Sequence, residues 1–218
     1  MPRFQPLAAL LTALSLCLGT LGASAQAPAA PTEIVALGDS LSAGFGVGPG
    51  ESFPEQLQAA LTAKGYSVTV ANAGVSGDTT TGGLARLDWS VPDTAGLVIL
   101  ELGANDALRG IAPEISERNL DAILKRLQER KIRTLLAGMI APPNMGPDYA
   151  AAFNPIYARL AETYDVPLYP FFLDGSAGRA DLTQADGMHP NPQGVAVIVE
   201  RILPAVTKQL DALAKPAG

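Results

Sequence analysis

The stretch Glu33-Ile34-Val35-Ala36-Leu37-Gly38-Asp39-Ser40 is the clearest indication of the fold, because an aliphatic run ends abruptly in glycine and polar residues. Strands that are buried on both faces of a parallel sheet have this composition. Four more aliphatic runs are closed by Gly, Pro or Asn in the same way, and they cover residues 68–71, 97–102, 133–139 and 166–169. Residues 33–38 are therefore predicted to be the first of five buried strands.

Segments with the spacing of amphipathic helices lie between these strands and after the last one. Apolar residues recur at intervals of three and four within residues 53–61, 120–127, 153–160 and 199–210. Strands that alternate with helices form a parallel sheet that is covered on both faces. We predict an α/β fold, a three-layer α/β/α sandwich with a five-stranded parallel sheet, in one domain over residues 33–213.

The first 25 residues have the pattern of a secretory signal peptide. Arg3 precedes an apolar run over residues 7–21, and Ala23-Ser24-Ala25 matches a cleavage site. The run is shorter than the roughly 20 residues that a membrane-spanning helix needs. We therefore predict a cleaved signal over residues 1–25 and an Ala/Pro-rich linker over 26–32. The mature protein is expected in the periplasm or the medium, without a stable membrane anchor.

Charge and cysteine usage exclude several kinds of partner. The chain has 21 Asp and Glu against 15 Lys and Arg, a formal net charge of −6, and no basic run. Nucleic acid is therefore not an expected partner. Cys17, the only cysteine, falls in the predicted signal and follows Leu16, where a lipoprotein signal has a small residue. One histidine and no mature cysteine leave no thiolate or multi-histidine metal site. We predict no metal and no cofactor, and the oligomeric state stays open.

Residues that could carry chemistry follow successive predicted strands. Ser40 follows the first strand, Gly74 the second and Asn105 the third, while Asp186 and His189 precede the last helix. In an open parallel sheet, ligands bind at the carboxyl ends of the strands. The five residues are therefore expected to converge at one edge of the sheet.

His189 is the only histidine, so it is the only candidate for an imidazole base. A serine hydroxyl becomes a nucleophile when such a base accepts its proton, and the base needs an acceptor on its other ring nitrogen. Ser40 and Asp186 fit these two roles. The backbone N–H groups of Ser40 and Gly74 and the amide of Asn105 are candidate donors to the oxyanion of acyl transfer. Taken alone, each of these residues also suits a turn or a helix cap.

Four segments together resemble the SGNH (GDSL) hydrolase family: Gly38-Asp39-Ser40-Leu41, Asn72-Ala73-Gly74, Gly103-Ala104-Asn105-Asp106 and Asp186-Gly187-Met188-His189-Pro190. Gly77-Asp78-Thr79-Thr80 and Glu101-Leu102-Gly103 are similar to its exported bacterial branch of arylesterases, lysophospholipases and acyl-thioesterases. The resemblance covers the whole mature chain. It implies a flavodoxin-like fold, a triad of Ser40, Asp186 and His189, and an oxyanion hole built from Ser40, Gly74 and Asn105.

The resemblance also implies a serine esterase that acts on a small-molecule ester or lipid through a covalent acyl-enzyme. Aryl esters and short to medium acyl esters are the predicted substrates, with lysophospholipids and acyl thioesters as further candidates. Met145 and Tyr149 are predicted to contact the substrate, and the loops at 75–81 and 141–149 to select its acyl group. A carbohydrate acetylesterase of the same fold and a non-catalytic binding module stay as alternatives.

Three segments outside the motifs bear on the substrate pocket. Residues 88–95 and 174–185 depart from the family pattern or vary within it, and they leave the acyl pocket undefined. The glycine-rich residues 44–50 lack the Gly-Lys-Ser/Thr ending of a P-loop and are interpreted as a surface loop beside the site. Ser42 stands where the nucleophile elbow of an α/β-hydrolase needs glycine, so that fold is not expected.

Overall fold

The computed structural model describes residues 1–2 and 30–214. The predicted signal peptide beyond residue 2 and residues 26–29 of the predicted linker lie outside the described residues. Within the described ranges, no helix combines the length and the apolarity that a membrane crossing needs.

Five strands form one sheet, as the aliphatic runs predict. They are β1 Thr32–Gly38, β2 Val68–Gly74, β3 Leu97–Glu101, β4 Arg133–Ala137 and β5 Leu168–Tyr169. Their order in the sheet is β2-β1-β3-β4-β5, and every neighbouring pair is parallel. The three central strands are buried almost end to end, because helices cover both faces of the sheet.

Helices in residues 30–214 form the two outer layers. They are α1 Ser40–Ala43, α2 Phe53–Ala63, α3 Thr80–Ser90, α4 Ala104–Leu108, α5 Pro113–Glu129, α6 Pro147–Phe153, α7 Ile156–Tyr164 and α8 Pro192–Ala214. A short 3-10 turn covers Pro143–Met145. Helix α2 packs against α8, while α5 packs against both α3 and α7. The predicted three-layer α/β/α sandwich is confirmed.

Helix α3 is not predicted by apolar spacing, and its contacts show why it forms. Gly82 and Gly83 lower its helical propensity. The Thr79 side chain nevertheless caps the helix by accepting a hydrogen bond from the Gly82 N–H. Arg86 and Leu87 are buried on its inner face. Packing of that face therefore holds α3, as is usual for helices that are marginal in isolation.

Strand β5 is shorter than the predicted residues 166–169. The Val166 N–H donates to the Ala161 carbonyl at the end of α7, so residue 166 still belongs to the helix exit. Only residues 168 and 169 pair with β4. The aliphatic run at 166–169 therefore contains both the helix exit and the edge strand.

The order of the strands creates the crevice in which the site lies. The chain passes from β1 outward to β2 and then returns to β3 on the other side of β1. Such a switch point leaves a crevice between the carboxyl ends of the two strands that flank it. Ser40 follows β1, and Asn105 lies in α4 directly after β3. Both residues are therefore placed at this crevice.

Candidate active site

The candidate nucleophile, Ser40, is the first residue of the short helix α1. Asp39 caps this helix, because its Oδ1 accepts a hydrogen bond of 3.0 Å from the Leu41 N–H. The N–H groups of a first helical turn have no intrahelical acceptor, so the Ser40 N–H can serve a ligand. Ser40 is only 9% exposed, which keeps most of the solvent away from its hydroxyl.

His189 joins Ser40 to Asp186. Its Nε2 lies 3.0 Å from Ser40 Oγ, and its Nδ1 lies 2.6 Å from Asp186 Oδ2. An ionised carboxylate can only accept hydrogen bonds, so Nδ1 carries the ring hydrogen and Nε2 faces the serine hydroxyl as an acceptor. His189 is thus within hydrogen-bond distance of both Ser40 and Asp186, as the predicted triad requires.

Asp186 is fixed by its own loop. Its Oδ1 accepts hydrogen bonds of 2.9 and 3.0 Å from the backbone N–H groups of Met188 and His189, which leaves Oδ2 for the ring. The hydrogen bond from the His189 ring, followed by those two backbone bonds, lowers the pKa of Asp186 to about 2. The carboxylate is therefore ionised at neutral pH and stabilises a positive charge on the ring.

The glycine-rich loop at 44–50 contacts the histidine directly. The ring centroids of Phe45 and His189 are 4.5 Å apart, with the planes tilted by 38°. Gln184 braces both partners, because its Nε2 donates to the Phe45 carbonyl at 2.7 Å and its backbone N–H donates to the His189 carbonyl at 2.8 Å. The sequence places this loop beside the site, and the structure makes it one wall of the site.

The side chain of Asn105 is aligned by Asp39. Asn105 Nδ2 donates a hydrogen bond of 2.9 Å to Asp39 Oδ2, and since an amide has two hydrogens, one is left for the groove that Asn105 lines. Burial raises the pKa of Asp39 to about 6, against the opposing effect of the hydrogen bonds from Leu41 and Asn105. One carboxyl group thus caps the serine helix and orients the amide.

Gly74 lies against the serine helix, but its N–H is already bonded. Strand β2 runs on to Gly74, past the predicted end at residue 71, because it stays paired with β1 as far as Gly38. The Gly74 N–H donates to Asn72 Oδ1 at 3.0 Å. A Cβ at Gly74 would overlap the backbone of Ala43, so close approach requires the glycine. In this structure Gly74 is therefore not the free oxyanion donor that the sequence predicts.

Arg86 ties the two strand ends together, a role that the sequence does not reveal. Its buried guanidinium donates to the carbonyls of Ala73 and Gly38 at 2.7 and 2.8 Å and forms an ion pair of 2.7 Å with Asp78. Both carbonyls lie near the carboxyl ends of β2 and β1. Because a buried cation must be fully paired, Arg86 fixes the spacing of these ends.

Asp106 organises the helices around the site. It is fully buried and accepts hydrogen bonds from the Thr80 N–H at 2.8 Å, the Thr80 hydroxyl at 2.6 Å and the Ser116 hydroxyl at 3.0 Å. These contacts join α4 to α3 and α5. The described partners of its side chain are Thr80 and Ser116, so Asp106 holds these helices together.

An apolar groove of about 410 Å³ opens beside the candidate triad. Ser40, Asn105 and His189 lie in its wall, and Ser76 and Gly77 reach it from the predicted loop at 75–81. The rest of the lining is apolar and comes from Leu41, Phe45, Ala104, Leu108, Met139, Ile140, Pro142, Phe171, Leu173 and Met188. Leu41 and Met188 lie in the family motifs and Pro142 in the predicted loop at 141–149, whereas Met139, Ile140, Phe171 and Leu173 carry no site signal in the sequence.

Met145 and Tyr149 are not among the lining residues of this groove, which corrects their predicted contact with substrate. The Tyr149 hydroxyl donates a hydrogen bond of 2.7 Å to the Ile111 carbonyl. A half-buried tyrosine needs such a partner for its hydroxyl, and here the partner lies away from the groove. From the same part of the chain, Ile140 and Pro142 line the groove instead.

The two segments that depart from the family pattern also lie outside the groove lining. Residues 88–95 carry aspartates that pair with Arg126 on α5 and with Arg130, which caps the end of that helix. In residues 174–185, Gln184 braces the histidine loop. The groove is therefore formed by other parts of the chain.

The arrangement has the parts that acyl transfer to water requires. A hydroxyl faces a neutral imidazole, an ionised carboxylate lies behind that ring, and N–H donors lie at the same edge of the sheet. In the described part of the chain, no three His, Cys, Asp or Glu side chains are grouped so that they could hold a metal ion.

Comparison with known proteins agrees with this chemistry. A sequence model described as "GDSL-like Lipase/Acylhydrolase family" matches residues 36–197. "Esterase TesA" of Pseudomonas aeruginosa is 39% identical over 194 residues, which cover 88% of this chain and 96% of the relative. "Thioesterase 1/protease 1/lysophospholipase L1" of Escherichia coli K12 is 40% identical over 167 residues, which cover 76% and 78%. The crystal structure of AlinE4, "a SGNH-hydrolase family esterase", is 49% identical, with a TM-score of 0.70 and coverage of 83% and 97%.

Proposed function

The chain belongs to the GDSL-like lipase/acylhydrolase family, as its motifs predict, and from this membership we propose how it hydrolyses ester bonds. In the proposal Ser40 is the nucleophile, His189 is the general base and acid, and Asp186 orients His189. The observation that carries it is the 3.0 Å contact between His189 Nε2 and Ser40 Oγ, with Asp186 Oδ2 2.6 Å from Nδ1. The reaction is acyl transfer to water through a covalent acyl-enzyme.

Acylation begins when Ser40 Oγ attacks the carbonyl carbon of the ester. His189 Nε2 accepts the hydroxyl proton as the new C–O bond forms, and Asp186 stabilises the resulting imidazolium. The tetrahedral intermediate then collapses, the bond to the leaving oxygen breaks, and His189 returns the proton to that oxygen. The alcohol departs and the acyl group remains on Ser40.

Deacylation repeats these steps with water in place of the serine hydroxyl. His189 accepts a proton from water, whose oxygen attacks the acyl carbonyl, and later donates that proton to Ser40 Oγ as the ester bond to the enzyme breaks. The acid is released and the neutral imidazole is restored. The same two nitrogen contacts of His189 therefore serve both halves of the reaction.

The oxyanion of each tetrahedral intermediate is proposed to bind two donors, the Ser40 N–H and the Asn105 amide. Preorganised donors at this position lower the barrier by about 3 kcal/mol each. Asp39 supports the assignment, because it caps the helix of Ser40 and holds the Asn105 amide at 2.9 Å. For Gly74 to become a third donor, its N–H would have to leave Asn72 Oδ1.

Replacing Asn105 by alanine is expected to lower kcat by about 10² to 10³-fold, because one oxyanion donor is lost. KM should stay within about twofold, since the donor binds the charge that develops only in the transition state. Steady-state kinetics on a p-nitrophenyl ester measure both constants. Asn119→Ala is the matched control, because the Asn119 amide bonds only the hydroxyls of Thr80 and Thr81 among the described residues. A loss confined to KM in Asn105→Ala would assign Asn105 to ground-state binding.

The substrate class is proposed to be esters with an apolar acyl or aryl group, and lysophospholipids and acyl thioesters are candidates within it. The apolar lining of the groove supports this, because an alkyl chain bound there loses its contact with water. A carbohydrate acetylesterase would need polar groups to pair with sugar hydroxyls. The described groove offers few of them beyond the reacting residues, so it favours an acyl group over a sugar.

The kcat/KM for p-nitrophenyl esters should rise with the length of the acyl chain until the groove is filled. Each methylene that is buried contributes about 0.8 kcal/mol, which is at most a fourfold gain in kcat/KM per carbon. Ile140→Asn, at the half-exposed edge of the groove, should flatten this gain. Ile115→Asn, an exposed change on α5 outside the groove lining, is the matched control. A profile that does not depend on length in the wild type would argue against an acyl groove.

Turnover itself separates the esterase from a non-catalytic binding module. The wild type should hydrolyse p-nitrophenyl butyrate well above the background given by Ser40→Ala. Parallel assays on an acyl-CoA, a lysophospholipid and acetylated xylan would rank the ester classes. Equal rates for wild type and Ser40→Ala on every substrate would overturn the proposed function.

Export is also part of the proposal. Its support is the sequence of residues 1–25, with Arg3, the apolar run at 7–21 and Ala23-Ser24-Ala25. Expression of the full chain followed by cell fractionation and N-terminal sequencing tests it. The expected product begins near Gln26 and lies outside the cytoplasm.

A further inference from the structure

Glu101 is a buried acid that the mechanism does not use. It is the last residue of β3, is fully buried, and pairs in register with Gly38 of β1. Its Oε2 accepts hydrogen bonds from the Ser42 hydroxyl at 2.7 Å and from the Asp39 N–H at 3.3 Å. Its Oε1 has no hydrogen-bond partner among the described residues. Both hydrogen bonds of the Glu101 side chain therefore come from the short turn and helix that carry Ser40.

The packing around this carboxyl group leaves the turn no room to move toward it. A Cβ at Gly38 would overlap both Glu101 Oε2 and Ser42 Oγ. The backbone at the start of the turn thus lies directly against the acid. The glycine of the Gly38-Asp39-Ser40-Leu41 motif is explained by this close approach to Glu101.

We propose that Glu101 is a positioning residue that holds Ser40 in line with His189 by anchoring the flanking residues Asp39 and Ser42. It touches neither the substrate nor the reacting atoms. Its two hydrogen bonds fix the residue before Ser40 and the residue two after it, so the direction of the serine side chain is set from both sides. The inference rests on the proposed function, because it concerns the same nucleophile.

Burial favours the neutral form of Glu101 in this role. The nearest buried cation, Arg86, gives its hydrogen bonds to Asp78, Ser90 and backbone carbonyls. Burial, followed by the charge of Asp39, raises the pKa of Glu101 well above its usual range. A neutral carboxyl keeps a carbonyl oxygen that accepts both hydrogen bonds and carries no unpaired charge into the core.

This charge state makes glutamine the conservative substitute. The glutamine carbonyl can accept the same two hydrogen bonds, and its amide replaces the neutral hydroxyl in nearly the same volume. A leucine side chain fills the space but cannot accept a hydrogen bond, so the Ser42 hydroxyl and the Asp39 N–H lose their acceptor. The comparison of Glu101→Gln with Glu101→Leu therefore isolates the acceptor role.

The test measures kcat, KM and the rate at which a fluorophosphonate labels Ser40, each at a temperature where circular dichroism shows the variant folded. Glu101→Leu is expected to lower kcat and the labelling rate by about 10 to 100-fold, with KM within about twofold, as for a misplaced nucleophile. Glu101→Gln should stay within about threefold of the wild type and keep its pH profile. Ile99→Val, a buried change on the same strand, is the control for lost core packing and should leave kcat unchanged.

Several outcomes overturn the inference. They are full activity in Glu101→Leu, a loss in Glu101→Gln as large as in Glu101→Leu, or an equal loss in Ile99→Val. If Glu101→Leu does not fold, Ser42→Ala is the second test, because it removes the hydroxyl that donates to Glu101. An unchanged kcat in Ser42→Ala overturns the proposed role of Glu101. A loss in kcat of about fivefold or more supports it. Absence of turnover and of labelling in the wild type would instead refute the proposed function.

Discussion

His189→Ala is expected to lower kcat by about 10⁵ to 10⁶-fold, since the only imidazole of the chain is lost. His189 Nε2 is the hydrogen-bond partner of Ser40 Oγ among the described residues, so its loss leaves the hydroxyl without a base there. The variant keeps only the rate acceleration from substrate binding and oxyanion stabilisation, which is small compared with that of the intact triad. KM should change far less than kcat, because the imidazole acts in the transition state. Single-turnover kinetics on a p-nitrophenyl ester measure the loss.

Two controls separate chemistry from folding in this variant. The His189 side chain is only 17% exposed and bonds Asp186, so its removal should lower the melting temperature, and the melting curve shows whether the variant is folded at the assay temperature. Added imidazole should restore part of the rate by occupying the vacated space beside Phe45. The double variant Ser40→Ala/His189→Ala measures the background rate of ester hydrolysis by imidazole alone. Without imidazole, the double variant should be no slower than either single variant, because the two groups act as a unit. Turnover near that of the wild type in His189→Ala would refute the mechanism.

Asp186→Asn is expected to lower kcat by about 10⁴-fold while leaving the loop intact. An asparagine carbonyl can still accept the two backbone hydrogen bonds from Met188 and His189. Its amide, however, donates to Nδ1 and so places the ring hydrogen on Nε2, where it can no longer accept from Ser40. Asp174→Asn, at an exposed ion pair with Arg201, is the matched control and should change kcat by less than about twofold.

The same substitution should change how stability depends on pH. The pKa of Asp186 is about 2 in the folded chain against an ordinary 3.8, so the unfolded chain binds this proton more tightly. The contribution of the carboxylate to the free energy of unfolding is therefore present above about pH 4 and lost as the pH falls toward about 2. The gap in melting temperature between wild type and Asp186→Asn should close over that range. A gap in melting temperature that stays constant would show that these contacts do not lower the pKa of Asp186 in the folded chain.

Residues missed in the sequence share one property, which is that their partners are remote. Asp39 orients Asn105, and Arg86 joins the ends of β1 and β2. Asp39 and Glu101 both lie within family motifs, yet their roles depend on remote contacts: that of Glu101 with Ser42 depends on the register between β1 and β3. No spacing along the chain encodes such pairs.

The layers, the parallel sheet and the residues of the candidate triad can all be predicted from the chain. Aliphatic runs and helical spacing are local consequences of burial, and a single histidine leaves one possible base. Which polar groups are free and which are already bonded became clear from the folded arrangement. It gave the Gly74 N–H to Asn72, turned Tyr149 toward Ile111, and lined the groove with residues such as Ile140 and Phe171. The reason is physical: each polar group takes the nearest partner that strand order and loop path provide, and that partner is set by the whole fold.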